Sequence, residues 1–238
     1  MPSKHIAILI LMLAISRDGA FAQGVGSVPS PVVKPGSSIS FSSGFAFGDE
    51  RDGTAYRLDF RHTVSEKFRV GAIIYGNDRG DDFRYRRFEV EGMHQLVSSK
   101  RGWNSAIRVR GRLTGGNDGA GRVRLSWLNR WRPIERGELR IAGLASKEFG
   151  SERRAGISLE TRAEATWQMG STIRIGAQVF NRYNTTENIG SFDTQRHSVG
   201  GALKWALTDR LSYRLNALTG VSSAAQDFEL RFRIRMAL

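Results

Sequence analysis

The side chains in this sequence best suited to chemistry are arginines, and they recur at alternate positions. Arg108, Arg110 and Arg112 form one run; Arg122 and Arg124, then Arg130 and Arg132, form a second; Arg231, Arg233 and Arg235 form a third near the end. A guanidinium is always charged and offers five N–H donors in a planar fork, so a track of them suits anions that carry several oxygens. Other chemistries find less support. The chain has no cysteine, which excludes a disulfide or a thiolate metal site. Two acidic clusters, Asp49-Glu50-Asp52 and Asp78-Asp81-Asp82, could hold divalent cations or could simply be solvated turns. Gly115-Gly116-Asn117 is a turn signal; a phosphate cradle would need a strand–loop–helix setting, and none surrounds it. No cofactor motif is present, so none is expected.

Arginines at alternate positions need an extended backbone. Tyr56, Leu58 and Phe60 interleave with Arg57, Asp59 and Arg61; Ile107 and Val109 interleave with Arg108 and Arg110; Phe228, Leu230, Phe232, Ile234, Met236 and Leu238 interleave with Glu229, Arg231, Arg233 and Arg235. As strands these segments have one apolar and one charged face, whereas a helix would scatter the arginines around its whole circumference. Twelve such segments can be read, at 38–48, 54–63, 67–76, 86–97, 102–113, 121–132, 137–146, 155–168, 171–182, 197–207, 210–220 and 227–238. Their connections alternate between short, such as Met169-Gly170 and Thr208-Asp209, and longer polar ones, such as 77–85 and 183–196. Trp103, Trp131, Trp167 and Trp205 all fall on the apolar parity beside a short connection, where an indole at a headgroup level would keep its ring in lipid and its N–H in water.

The N-terminus reads as a secretion signal. Lys4 and His5 precede an apolar run from Ile6 to Ile15, too short to span a bilayer, and Ala20-Phe21-Ala22 supplies a small-x-small cleavage site before Gln23. Residues 1–22 are therefore expected to be removed, residues 23–37 to form an extended leader interrupted by Pro29, Pro31 and Pro35, and residues 38–238 to form the folded body.

Alternating strands, alternating loop lengths and a girdle of tryptophan resemble the bacterial outer-membrane β-barrel proteins over essentially the whole mature length. The resemblance implies an all-β fold, an antiparallel up-and-down transmembrane barrel of about twelve strands, in the outer membrane of a Gram-negative bacterium. Its implied partners are outer-membrane lipid and lipopolysaccharide, together with the barrel-assembly machinery, which would engage the C-terminal strand through Leu230, Phe232, Ile234 and Met236. This chain departs from the common pattern by ending on Leu238 where an aromatic is usual. Size and a basic interior are similar to the small porins for acidic oligosaccharides. Enzymes of this class imply other residues: a His-x-Ser pair, absent at His5, His62, His94 and His197, or an Asp–His pair, for which Asp193 and His197 stand at an unlike spacing. No enzyme activity is expected.

In a barrel the parity sends the arginines inward, since a lysine or arginine at mid-bilayer on the lipid face costs about 2–4 kcal/mol. The formal net charge of +13 asks for an anionic partner. Export and inward-pointing arginines argue against nucleic acid. Small anionic solutes are the expected passengers, with Arg108, Arg110, Arg112, Arg122, Arg124, Arg130, Arg231 and Arg233 as the candidate pore and anion-binding residues. Near the 102–113 and 121–132 segments the sequence shows only Asp118, in their loop, as an acid; opposing inward charge is expected from Glu89 and Glu91 on the fourth segment and from Glu138, Glu160 and Glu164 on the seventh and eighth, and the basic residues outnumber these. The alternative is a non-conducting structural or adhesion barrel, its lumen plugged by arginine–carboxylate pairs.

Overall fold

Twelve strands follow from the period-two pattern, and each finds its partner in the next along the chain. The computed structural model describes residues 25–47, 53–79, 82–99, 102–113, 120–151 and 153–238; the signal segment, Asp118 and the tips at 49–52 and 81 lie outside them. The strands are β1 (Ser37–Phe47), β2 (Gly53–Ser65), β3 (Phe68–Arg79), β4 (Asp82–Ser98), β5 (Asn104–Leu113), β6 (Gly121–Trp131), β7 (Gly137–Phe149), β8 (Ser158–Met169), β9 (Ile173–Thr185), β10 (Arg196–Ala206), β11 (Leu211–Gly220) and β12 (Phe228–Ala237). All pairs are antiparallel, and β1 pairs with β12 from Ser38 opposite Ala237 to Phe47 opposite Phe228, closing the sheet into a barrel. Closure leaves no strand edge, the condition a sheet must meet in lipid. Ser37 and Ala237 lie at the same rim, here called the lower.

The strand count agrees with the sequence reading, but two hairpins run farther up than expected. Residues 77–85 read as a loop, yet β3 and β4 continue to Arg79 opposite Asp82. Phe83 packs at this extension, its ring 5.9 Å from that of Tyr56 and against Gly76, where a Cβ would collide with it. Likewise β7 extends to Phe149, which pairs with Gly121. Asp78, from one of the acidic clusters, accepts a hydrogen bond from the Tyr56 hydroxyl at 2.6 Å. Among the described residues no group of three His, Cys, Asp or Glu is placed to hold a metal ion.

The two faces of the wall are opposite in character. Outside stand Leu58, Phe60, Val90, Val109, Leu125, Trp127 and Ile175, all exposed; inside, Asp59, Glu91, Arg108, Arg110 and Glu164 are buried. This inverts the arrangement of a soluble protein and matches a wall with an apolar medium outside it. Trp103, Trp131, Trp167 and Trp205 are all exposed on the outer face near the lower ends of β5, β6, β8 and β10.

The leader is not outside the barrel. From Gly36, which turns at φ +85°, residues 35 down to 25 run inside the wall without joining the sheet. Three inward apolar patches interrupt the polar interior, and each receives one leader valine: Val33 packs against Met93, Ala106, Leu128, Ala142 and Leu144; Val28 against Phe180 and Leu218; Val25 against Ala55, Ile73 and Tyr75. At the lower end Thr63 donates from its hydroxyl to the Lys34 carbonyl at 2.6 Å and from its amide to the Gly36 carbonyl at 3.2 Å. Gln95 accepts from the Val33 amide at 2.9 Å.

An arginine-rich cavity as the candidate site

The space left between wall and leader forms a central cavity of about 1160 Å³. Its lining reaches from Arg210 and Arg235 near the lower rim to Arg154 and Arg196 near the upper. Among the described residues, twenty-three arginines and Lys34 line it, against Glu89, Glu138, Glu160, Asp209 and Glu229. All eight candidate arginines are on this wall. The strand parity of β5, β6 and β12 places them there, because their neighbours in sequence occupy the outer face.

The eight differ sharply in how they are held. Pairing of β4 with β5 sets Glu91 opposite Arg110 and Glu89 opposite Arg112. Arg110 donates to Glu91 at 2.7 Å, to Glu89 at 3.2 Å and to the Tyr75 hydroxyl at 3.3 Å. Arg112 lies 3.5 Å from Glu89 and Arg108 lies 3.7 Å from Glu91, with Ser126 also accepting from Arg108. Arg122 pairs with Glu148, and Arg231 with Glu229. The expectation that Asp118 is the only acid near these strands is therefore corrected. Cross-strand register sets Glu89 and Glu91, expected as inward charge on the fourth segment, directly against the β5 arginines, and adds Glu148 of β7, which the sequence reading left in a loop.

The surplus survives this pairing because the same carboxylates are shared. Arg57, Arg61, Arg69, Arg87, Arg108, Arg110 and Arg112 all converge on Asp59, Glu89 and Glu91. Tyr75 adds its ring face to this cluster, with the Arg87 guanidinium 4.0 Å and that of Arg57 5.3 Å from its centroid, a favourable place for a cation. Arg124 and Arg130 have no carboxylate within ion-pair distance among the described residues. The ladder explains why: Arg124 stands between Arg110 and Ser146, and Arg130 between Asn104 and Arg140. Arg233 is held by neutral oxygens, those of Ser42 at 2.8 Å, Ser27 at 2.8 Å and the Val25 carbonyl at 3.3 Å.

Several lining groups lay beyond the sequence reading. Arg162, Arg182 and Arg214 face the same cavity; their segments alternate just as β5 does, so parity alone could have found them. A second polar cluster joins Glu164 to Lys204 and Arg214, with Gln178 and Asn216 completing it. At the upper rim His197 is fixed between Asn181 at 2.9 Å and Gln195 at 3.0 Å, under the stacked ring of Phe192 at 4.4 Å, and Asp193 is not its partner.

No protein-family model matches the chain, and no curated protein matches it. Solved structures do. A structure described as "KdgM porin" is similar with a TM-score of 0.60 and 12% identity, covering 84% of this chain and 99% of that one. The COG4313 outer membrane channel from Pseudomonas putida F1 is similar with a TM-score of 0.67 and 10% identity, covering 90% of this chain and 100% of that one. The NanC porin follows with a TM-score of 0.59 and 11% identity, covering 84% and 98%. All three are porins or channels of the outer membrane, and the likeness extends over nearly the whole wall. With its closed antiparallel wall of twelve strands, its apolar outside and its charged inside, the chain has the fold of a bacterial outer-membrane β-barrel protein.

Proposed function

We propose that the protein is a porin-like channel of a Gram-negative outer membrane whose lumen favours small anionic solutes. The single observation that carries this reading is the arginine surplus on a cavity lined from one rim to the other. Guanidinium groups in a confined, low-dielectric passage produce a positive potential that concentrates anions and repels cations. Arg124 and Arg130, which have no carboxylate within ion-pair distance among the described residues, add to that field without direct neutralisation. One similar structure is described as "KdgM porin in complex with disordered oligogalacturonate", an acidic polymer, which supports the same class of passenger here. The similar structures are channels rather than enzymes, which fits a transport role.

The lower rim is then periplasmic and the outer apolar band faces lipid, with lipopolysaccharide around the upper rim. The test is reconstitution in a planar bilayer under a potassium chloride gradient. The reversal potential should have the sign of chloride preference, and replacing Arg124 and Arg130 together with glutamine should move it toward zero. A barrel that inserts but never conducts, or that prefers potassium, overturns the reading. The plugged-barrel alternative draws on the ion-pair clusters and the leader, and the same recording decides between the two.

A further inference from the structure

The leader lies across guanidinium groups as a solute's oxygens would. Arg231 donates to the Gly26 carbonyl at 2.9 Å, Arg162 to the Ser27 carbonyl at 3.2 Å, and Arg233 to the Val25 carbonyl and the Ser27 hydroxyl. Arg162 and Arg231 also stand over the ring of Phe180, 5.6 and 4.8 Å from its centroid, and although Glu160 pairs with Arg162 and Glu229 with Arg231, the three guanidiniums of β8 and β12 outnumber these two carboxylates in one cradle. Gly26 lets the chain approach: a Cβ there would come within 2.8 Å of an Arg162 nitrogen. Building on the channel reading above, we propose that the Arg162–Arg231–Arg233 cradle is a carboxylate-binding site and that leader residues 25–33 are its built-in, displaceable occupant.

Three features make the leader displaceable. It adds no strand to the sheet, so no ladder of backbone hydrogen bonds has to be broken to move it. What it gives the cradle is neutral, peptide carbonyls and a hydroxyl, whereas a carboxylate forms charge-assisted bonds roughly twice as strong with the same donors. Finally, Thr63 ties residues 34 and 36 at the lower rim, so a leader that leaves the cradle stays tethered and can return. A solute carboxylate entering from the upper side therefore takes the guanidiniums, and the valines at 25 and 28 leave their sockets. The solute thus opens the passage that it uses.

The experiment is single-channel recording with citrate as the carboxylate probe, at an ionic strength matched with chloride. In the wild-type barrel, citrate should raise the open conductance or the open time. Deleting residues 25–33 should raise the basal conductance by roughly twofold, since an extended chain fills much of a twelve-strand lumen, and should remove the citrate response. Val28 and Leu218 share one buried cluster, and the chain has no cysteine of its own, so Val28→Cys with Leu218→Cys gives a single lockable pair. Oxidised, this pair should abolish the citrate response, and reduction should restore it. If the deleted form fails to insert, the lockable pair decides alone. A locked leader that responds like a free one overturns the gate. An anion-selective barrel indifferent to the lock loses the gate but keeps the channel reading, whereas barrels of every form that conduct without anion preference lose both.

Discussion

Arg110 and Arg124 face each other across one rung of the β5–β6 ladder, yet their replacement by glutamine should have opposite consequences. Arg110 is buried and bonds Glu89, Glu91 and Tyr75. Hydrogen bonds to charged groups contribute about 1.5–3 kcal/mol each, and breaking a buried ion pair by removing one partner can cost about 3–5 kcal/mol. The full penalty is not expected here. Glu91 keeps Arg61 at 3.0 Å with Arg69 and Arg108 at 3.7 Å, and Glu89 keeps Arg87 at 3.1 Å and Arg112 at 3.5 Å. Seven guanidiniums on three carboxylates also repel one another, and losing one relieves part of that. We expect Arg110→Gln to destabilise the barrel by about 1–3 kcal/mol. Arg124→Gln breaks no hydrogen bond among the described residues and removes a like charge opposite Arg110, so its effect should be near zero or stabilising by a few tenths of a kcal/mol. Urea unfolding of the liposome-inserted protein, followed by tryptophan fluorescence, measures both. In bilayers the order should reverse, with Arg124→Gln moving the reversal potential more than Arg110→Gln. Equal destabilisation by the two variants would refute the assignment of paired and unpaired arginines.

Three further outcomes are expected. Partial burial in the lumen, followed by the charges of Arg235, Arg130, Arg140 and Arg132, holds the Lys34 ammonium below the usual lysine range. Seating the leader therefore carries its full charge penalty below that lowered value. The penalty falls as pH rises toward the ordinary lysine range and vanishes above it, so the leader should seat more tightly in alkali, and Lys34→Met should remove this pH dependence of conductance. Trp103, Trp131, Trp167 and Trp205 should be quenched by lipids labelled near the headgroups; single-tryptophan variants in which aqueous iodide quenches all four strongly would show that they are not in lipid. Mass spectrometry of the protein recovered from outer membranes should find a chain beginning at Gln23, and a precursor retaining residues 1–22 would contradict the cleavage site.

The wall was legible in the sequence because its code is local. Side chains of a strand alternate faces, so Arg108, Arg110 and Arg112 declare their side by their neighbours Ile107, Val109 and Gly111, and the twelve segments need no knowledge of pairing. What the parity could not reveal is anything set by register. Parity puts Glu91 on the inner face with Arg110, but the two are nineteen positions apart along the chain, and only the β4–β5 register sets them directly opposite each other. The inward apolar residues Met93, Leu128 and Leu144 break the polar-inside rule, and they make sense only once Val33 is seen to cover them. The leader carries three prolines and was expected to be irregular. Its spaced valines at 25, 28 and 33 were the one signal of an inner partner, too sparse to be read without the wall that they face.

The seating of the leader also orders the events of assembly. Residues 25–36 immediately precede β1, and Arg231 and Arg233, which grip Gly26, Ser27 and Val25, belong to β12. These are the two strands that join last in any zippering that runs along the chain, so the contact that completes the wall and the contact that encloses the leader form across the same seam. While β1 and β12 are apart, the leader can be laid in sideways against an open, curling sheet. Once they have paired from Ser38–Ala237 to Phe47–Phe228, the only way in is end-on, past a crowd of guanidiniums. A barrel that closes too early would thus keep its leader outside, with its three sockets unfilled. The first and last elements of this chain would have to meet as a set of three, the leader included.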